Sequence, residues 1–269
     1  MSNELTGQDA SLVDMNEFPS WIIFENENFL ILNKPGWLVC HPSKNGELSS
    51  LIGAARVYCN AESLHLVSRL DRETSGIVVI AKNKATASKA QKAVESRAVS
   101  KKYLAILNGA MPYSATVAQP LADDKNSLVA IKQACAIRKT SAKKALTIFT
   151  SLKVSEDDAN NKFTLCEVEI ITGRKHQIRA HAQWLGHTIV GDKIYGPDET
   201  LYLDFIETGY TEAMAKILPT ARQCLHAWKM DMSQIFPELQ ITANLPQDFI
   251  DFAKKSNLHQ FILESEIIK

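Results

Sequence analysis

One short segment carries a high density of groups that could take part in chemistry. Residues Ser68–Gly76 read SRLDRETSG and combine two arginines, two carboxylates and three hydroxyls. The apolar run Ile77–Ala81 follows directly and is typical of a strand that is buried on both faces. A carboxylate beside cations at the end of a rigid strand can be held ionised, as a nucleophile or a base requires. Asp71 is therefore the first candidate for catalysis, and a solvated or capping role is the ordinary alternative.

A second cluster, Thr172–His181, reads TGRKHQIRAH and contains three cations and two imidazoles. The pattern predicts a helix that starts after Gly173. Lys175 and Arg179 would then share a face, because residues four apart are neighbours on a helix. A cationic helix start suits contact with a phosphate or a carboxylate. A solvated basic helix end is the other interpretation.

Neither the histidines nor the cysteines are spaced for a metal ion. His176 and His181 are five apart, whereas a chelating pair on a helix is four apart. The five cysteines are an odd number, are widely spaced and include no C-x-x-C pair. We therefore expect no metal site, no disulfide framework and small, buried, free cysteines. These are Cys40, Cys59, Cys135, Cys166 and Cys224.

Charge is unevenly distributed along a chain whose formal net charge is zero. Residues 1–68 hold 3 Lys/Arg against 8 Asp/Glu, residues 69–193 hold 21 against 11, and residues 194–269 hold 6 against 11. A basic middle between acidic ends suits a protein that presents one positive face to a polyanion and stays neutral overall. Ordinary solvated surface is the alternative interpretation of the basic segment.

Length and composition exclude several classes of protein. A chain of 269 residues with 45% hydrophobic content, 11 Gly and 9 Pro can fill a core and is neither collagen-like nor disordered. Its apolar runs are far shorter than the roughly 20 residues of a membrane-spanning helix. The N-terminus is polar and acidic and does not follow the pattern of a secretory signal. We therefore expect a cytoplasmic protein without membrane segments.

The elements that must position these clusters follow from hydrophobic periodicity. The pattern predicts a flexible N-terminal tail over residues 1–18. It predicts one α+β domain over residues 19–269, with a mainly antiparallel sheet, that can divide into two lobes. Besides Ile77–Ala81, the pattern predicts strands at Trp21–Phe24, Phe29–Leu32 and Lys101–Leu107, an antiparallel pair at Ala145–Lys153 and Phe163–Ile171, and helices at Glu47–Cys59 and Lys84–Ser96.

Three ordered motifs resemble the RluA family of RNA pseudouridine synthases. The family motif HRLDRxTSG is similar to Ser68–Gly76, its K-x-Y-x-A-x-x-x-G strand is similar to Lys101–Gly109, and its GRxHQIRxH helix is similar to Gly173–His181. Shorter similarities occur at Asn33–Pro42, at Leu185–Gly196 and at Leu225–Ala227. The resemblance extends over about residues 20–245. It implies a pseudouridine synthase fold, with a mixed, mainly antiparallel sheet, flanking helices and a central active-site cleft.

The chain departs from the family pattern at a few positions. Ser68 stands where the family usually has His, and in the early turn Trp37 and Cys40 stand where it usually has Gly and Val. None of these replaces the aspartate. The segment ahead of Trp21 is too short for the small basic S4 RNA-binding domain of some relatives. The resemblance is therefore to the branch that lacks this domain.

The resemblance implies that the chain is an isomerase that converts specific uridines in ribosomal or transfer RNA to pseudouridine without a cofactor. Asp71 would be the essential carboxylate, acting as a covalent nucleophile or as a base. Arg179 would pair with Asp71, and Tyr103 would stack on a base that is flipped out of its helix. Arg69 resembles the residue that fills the vacated space. The expected RNA contacts are Arg69, Arg72, Arg174, Lys175, His176, Lys101 and Lys102.

Two other functions compete with this hypothesis. The Ser68 departure leaves open a non-catalytic protein that binds or folds RNA on the same scaffold. A phosphate-binding hydrolase is disfavoured, because the chain contains no P-loop, no G-x-S-x-G and no metal-ligand spacing. RNA is thus the expected partner, and we expect a monomer that needs no obligate protein partner.

Overall fold

The computed structural model describes residues 11–41, 46–136, 140–155 and 162–258. These described residues fall into two units, unit 1 within Met1–Lys101 and Ala227–Asn244, and unit 2 within Lys102–His226 and Leu245–Lys269. Each unit combines helices with antiparallel strand pairs. The predicted mixed, mainly antiparallel architecture is confirmed. Among the described residues, no helix has both the length and the apolar content that crossing a membrane requires.

The strands and helices follow one another in a mixed order along the chain. The strands are β1 (Ile22–Glu25), β2 (Phe29–Lys34), β3 (His65–Leu66), β4 (Ser75–Ala81), β5 (Ser100–Asn108), β6 (Ala115–Val117), β7 (Leu121–Asp123), β8 (Gln133–Cys135), β9 (Thr147–Val154), β10 (Phe163–Ile170), β11 (Leu225–Asp231) and β12 (Gln240–Thr242). The helices are α1 (Leu51–Cys59), α2 (Lys84–Glu95), α3 (Gln177–Trp184), α4 (Thr200–Thr208), α5 (Glu212–Ala215) and α6 (Gln247–Lys255). Single 3-10 turns occupy Phe18–Trp21 and Glu47–Ser49.

Strand β4 lies inside the sheet of unit 1 and is buried along its whole length. Alternate residues point to opposite faces of a strand. Val78 therefore packs in one core cluster with Leu51 of α1, while Val79 packs in another cluster with Ala90 of α2. The sheet is thus covered by a helix on each face, and the predicted strand at Ile77–Ala81 is confirmed.

The two helices of unit 1 begin at residues whose side chains cap them. The Oδ1 of Asn83 accepts a hydrogen bond from the N–H of Thr86 (2.9 Å) at the start of α2, which confirms the helix predicted over Lys84–Ser96. The predicted helix Glu47–Cys59 is interrupted at Ser50. Ser50 is extended, and its hydroxyl accepts from the N–H of Gly53 (3.2 Å). This cap makes α1 begin one turn later than predicted.

The N-terminal residues that the structure describes are packed against unit 1. The side chain of Val13 is buried, and its N–H donates to the carbonyl oxygen of Leu48 (2.8 Å). Phe18 is fully buried in the same core cluster. The core therefore begins before Pro19, where the sequence pattern places its start. Residues 1–10 of the predicted tail lie outside the described residues.

The main strands of unit 2 follow the order β5, β10, β9 and β6. Antiparallel pairing places Val168 of β10 between Tyr103 of β5 and Phe149 of β9. The antiparallel pair predicted at Ala145–Lys153 and Phe163–Ile171 is confirmed. Strands β7 and β8 form a separate two-stranded sheet.

The start of α3 differs from the prediction. The helix begins at Gln177, and His176 before it has a left-handed backbone with φ of 52°. The side-chain oxygen of Gln177 accepts hydrogen bonds from the hydroxyl of Thr172 (2.7 Å) and from the N–H of Arg174 (3.0 Å). These bonds fold the preceding residues into a turn. The predicted start after Gly173 is therefore wrong, and Lys175 does not share a helix face with Arg179.

The cysteines differ in burial. Cys40, Cys166 and Cys224 are buried as predicted, whereas Cys59 and Cys135 are half-buried. Desolvation raises the pKa of the Cys166 and Cys224 thiols to about 12. These buried thiols are therefore protonated at neutral pH and act as small apolar groups.

Candidate active site

The turn that carries Asp71 leads directly into β4. The N–H of Thr74 donates to the carbonyl oxygen of Asp71 (3.1 Å), which closes the turn. Gly76, within β4, has φ of +109° and lies against the main chain of Ala227. A Cβ at Gly76 would stand 2.2 Å from the carbonyl oxygen of Ala227, closer than real Cβ contacts. The turn is thus attached to a strand that packs tightly against its neighbour within unit 1.

Two buried side chains bind the main chain on either side of Asp71. Lys34, at the end of β2, has no exposed surface, and its Nζ donates to the carbonyl oxygen of Arg72 (2.9 Å) and to two carbonyls of the turn after β2 (both 2.8 Å). The N–H of Leu70 donates to the Sγ of Cys40 (3.4 Å), and this thiol lies 3.5 Å from the Leu70 carbonyl oxygen. Burial raises the pKa of the Cys40 thiol, which keeps it protonated and able to donate.

Tyr103 lies on β5 of unit 2, and its side chain is largely buried. The two lysines that precede it have different surroundings. The Nζ of Lys102 forms an ion pair with Oε1 of Glu167 (2.7 Å). Burial lowers the pKa of Lys101 to about 8. Lys102 is therefore partly neutralised by a carboxylate, and Lys101 loses part of its charge in mildly alkaline solution.

Arg179 projects from α3 to a buried carboxylate, that of Asp192. Its Nε donates to Oδ2 of Asp192 (2.7 Å) and its Nη2 donates to Oδ1 (2.9 Å). Oδ1 also accepts from the N–H groups of Ile194 (2.9 Å) and Tyr195 (3.0 Å). Burial alone would raise the pKa of Asp192, but the Arg179 charge and these hydrogen bonds hold it below its ordinary value. The pair is therefore ionised at neutral pH.

Tyr195 connects Arg179 to His176 within unit 2. The Tyr195 ring centroid lies 5.0 Å from the Cζ of Arg179, within the range of a cation–π contact. The Tyr195 hydroxyl accepts from the N–H of Gln133 (2.8 Å) and lies 3.1 Å from Nδ1 of His176. His176 is 8% exposed. Its ring is thus held inside unit 2.

The other predicted RNA contacts differ in exposure. Arg69 is exposed and Arg72 is half-buried, both on the turn of Asp71. Arg174 and Lys175 are exposed in the turn before α3. The structure therefore gathers two arginines and a carboxylate on one turn of unit 1. Within the described ranges, no three His, Cys, Asp or Glu side chains are grouped so that they could hold a metal ion.

The family model of RNA pseudouridylate synthases matches residues 28–184, which is more than half of the chain. The chain belongs to this family. The matched region includes the turn of Asp71, Tyr103 on β5 and Arg179 on α3. RNA pseudouridylate synthases are isomerases, and the resemblance to the RluA family is confirmed.

Individual relatives agree with this assignment. An uncharacterised RNA pseudouridine synthase of Mycoplasma pneumoniae is 34% identical over 220 residues, which are 81% of this chain and 69% of that protein. The ribosomal large subunit pseudouridine synthase D of Haemophilus influenzae is 27% identical over 91% of this chain and 73% of its own length. The match to a related protein of Mycoplasma genitalium spans only 61% of that relative's length.

A solved structure shows the same fold. The human protein named RNA pseudouridylate synthase domain containing 4 superposes with a TM-score of 0.70 at 26% identity. The superposition covers 90% of this chain and 95% of the human chain. The pseudouridine synthase fold that the motifs imply is therefore confirmed.

Sequence reasoning missed the residues that hold the candidate catalytic groups. Asp192 and Tyr195 lie in the segment VGDKIYG, which resembles the family without an assigned role. The one sequence signal nearby is the glycine before Asp192. The structure explains it, because Gly191 has φ of +77° and an added Cβ would stand 2.3 Å from the carbonyl oxygen of Arg222. Lys34 lies in an N-K-P turn, where a lysine is ordinarily solvated. Its burial could not be read from local spacing.

Proposed function

We propose that this protein isomerises specific uridines of structured ribosomal or transfer RNA to pseudouridine, with Asp71 as the essential carboxylate and without a cofactor. The observation that carries the proposal is the place of Asp71 in the chain. It stands on a turn whose main chain is bound on both sides, at the head of a fully buried strand, inside the region that matches the family. A catalytic group needs this kind of fixed support.

The proposed reaction is an isomerisation in which atoms and electrons balance. The bond from ribose C1′ to uracil N1 breaks, the base turns, and a bond from C1′ to C5 forms. The hydrogen on C5 leaves as a proton, and N1 gains a proton. Asp71 either attacks the sugar covalently or removes a sugar proton, and both roles require its ionised form.

Two residues of unit 2 complete the proposed chemistry. Arg179 is proposed to favour the charged form of Asp71 with the guanidinium N–H groups that remain after its two hydrogen bonds to Asp192, whereas a lysine could not serve both carboxylates in this way. Tyr103 stacks its ring on the flipped uracil, and its hydroxyl is available to the proton that leaves C5. The burial of the Tyr103 side chain supports this role, because a base that stacks on a largely buried ring is removed from water.

The target uridine must leave its helix before it can react. Arg69, exposed beside Asp71, is proposed to fill the space that the base vacates. Arg174 and Lys175 are exposed and support contact with phosphates. Arg72, Lys101 and Lys102 are proposed as further contacts around the flipped nucleotide, and His176 is proposed to contact it with the small part of its surface that is exposed. We propose that the protein acts as a monomer in the cytoplasm and needs no obligate protein partner.

Release of tritium from RNA labelled at uridine C5 tests the function. Substoichiometric protein is incubated with separate transfer RNA and ribosomal RNA fractions, and released tritium is counted per protein molecule. We expect several turnovers with one of the two fractions. Retention of RNA by the protein without any tritium release from either fraction would favour the non-catalytic binding function that the Ser68 departure suggests.

A further inference from the structure

The carboxylate of Asp192 accepts four hydrogen bonds within unit 2. Two come from the guanidinium of Arg179 and two from the N–H groups of Ile194 and Tyr195, at distances from 2.7 to 3.0 Å. The two main-chain donors belong to the residues that follow Asp192 almost immediately. The local backbone therefore fixes the carboxylate, and the carboxylate in turn fixes the arginine.

The geometry of this pair sets the direction of the guanidinium. A guanidinium is planar, and two parallel hydrogen bonds to one carboxylate determine both its plane and its rotation. The ring of Tyr195 restrains it further, at 5.0 Å from Cζ, and the Tyr195 hydroxyl is itself bound by the N–H of Gln133. The side chain of Arg179 is long, and ordering it costs rotamer entropy. Because the fold already orders it, this cost does not fall on the reaction.

We infer that Asp192 is a positioning residue that orients Arg179 for the isomerisation and does not itself contact RNA. The inference rests on the proposed function, in which Arg179 pairs with the essential carboxylate Asp71. The burial of Asp192 supports an indirect role, since its side chain has no exposed surface. The VGDKIYG segment is then part of the catalytic apparatus because it supports Arg179 and not because it touches the substrate.

A cycle of variants separates positioning from folding. Asp192→Asn, Arg179→Met and the double variant are compared in single-turnover tritium release from whichever labelled RNA fraction supports release. We expect Asp192→Asn to lower the rate constant about 10- to 100-fold, by analogy with the hydrogen-bond partners that orient metal-ligating side chains, with less than about a threefold change in the RNA concentration that gives half the maximal rate. Adding Asp192→Asn to Arg179→Met should lower the rate no further, because Asp192 acts through Arg179.

The chain offers a matched control in the pair Arg222–Asp248. Arg222 binds Asp248 through Nε (2.5 Å) and Nη2 (2.8 Å), the same two-bond arrangement, but the Asp248 side chain is 53% exposed. Asp248→Asn should keep the wild-type rate constant. Asp192→Glu keeps the negative charge and lengthens the side chain, so it provides a second test if Asp192→Asn does not fold. Circular dichroism establishes which variants are folded.

The outcomes distinguish the inference from the proposed function. A wild-type rate constant in folded Asp192→Asn or Asp192→Glu, with Arg179→Met slowed but still measurable, would overturn the positioning role and leave the proposed function intact. A further loss in the double variant would also overturn it, because Asp192 would then act independently of Arg179. A wild-type rate in Arg179→Met would instead contradict the role of Arg179 in the proposed function.

Discussion

The turn of Asp71 and the start of α3 hold their charged residues by different means. Around Asp71, side chains bind the main chain: Lys34 binds the carbonyl of Arg72, and Cys40 binds the backbone of Leu70. Around Arg179, the side chain of Asp192 binds the functional group itself, because its carboxylate accepts two hydrogen bonds from the guanidinium. Unit 1 fixes the path of the chain, whereas unit 2 fixes the direction of a guanidinium.

This difference follows from the two side chains. An aspartate has a short side chain, so a fixed backbone confines its carboxylate to a small volume. An arginine is long and flexible, and a fixed backbone alone leaves its guanidinium many positions. The anchors of Asp71 should therefore affect both stability and catalysis through the backbone. The anchor of Arg179 should affect catalysis through one specific side-chain pair.

The largest effect on stability is expected where the turn of Asp71 joins β4. Gly76→Ala would place a Cβ 2.2 Å from the carbonyl oxygen of Ala227 at φ of +109°. We expect a loss of about 4 kcal/mol from the free energy of unfolding, from overpacking and left-handed strain together. Gly46→Ala is the control, because Gly46 has φ of +90° but no atom within 4 Å of its would-be Cβ. Urea denaturation that finds equal losses in both variants would contradict the close packing at Gly76.

A smaller loss of stability is expected when the ammonium group of Lys34, which binds the turn of Asp71, is removed. Lys34→Met leaves the carbonyl of Arg72 and two other carbonyls without the Nζ donor, and we expect a loss of about 3 kcal/mol. Lys82→Met removes a partly exposed ion pair with Glu25 and should cost no more than about 1 kcal/mol. The main-chain anchoring of Asp71 would be refuted by a Lys34→Met variant as stable as Lys82→Met.

The smallest effect concerns a carboxylate of unit 2 that binds a loop. Glu199 accepts from Lys132 Nζ (2.7 Å), from the N–H of Leu128 (2.9 Å) and from the hydroxyl of Ser127 (2.8 Å). These hydrogen bonds lower the pKa of Glu199 from 4.5 to about 2, and the bond from Lys132 makes the largest contribution. Because the folded-state pKa is depressed, the stabilisation is complete above about pH 4.5 and is lost as the pH falls towards 2.

Glu199→Gln should therefore lower stability slightly at neutral pH and reduce the fall in stability between pH 4.5 and 2. Thermal unfolding measured across this range tests the expectation. Glu207→Gln, an exposed change on the helix that Glu199 precedes, should leave the acid profile as it is in the wild type. An unchanged acid profile in Glu199→Gln would mean that its contacts with the loop do not persist in solution.

The fold could be predicted where the sequence has a clear hydrophobic pattern, either a continuous apolar run or a regular period. The continuous apolar run at Ile77–Ala81, the polar helix after Asn83 and the alternating pair β9 and β10 were all confirmed for this reason. The start of α3 was predicted wrongly because one glutamine side chain bends the preceding turn. Such a bond competes with helix formation and leaves no periodic signal.

The candidate site was only partly accessible to sequence reasoning. Asp71, Tyr103 and Arg179 were selected because they stand in motifs that resemble a family, and their roles remain predictions. The partner of Arg179 was missed because Asp192 is thirteen positions away and follows the end of the helix. Lys34 was missed because lysine is rarely buried, and only the tertiary fold brings the Arg72 carbonyl to its ammonium group.

The most direct test of the account compares the two carboxylates of one turn. Asp71→Asn and Glu73→Gln each remove one negative charge from Ser68–Gly76 and keep nearly the same shape. Tritium release from C5-labelled RNA and retention of the same RNA on filters are measured for both variants. We expect Asp71→Asn to release no tritium above the level without protein while it still binds RNA, and Glu73→Gln to release tritium as the wild type does. Release by Asp71→Asn at the wild-type rate would contradict the central claim that Asp71 is the essential carboxylate.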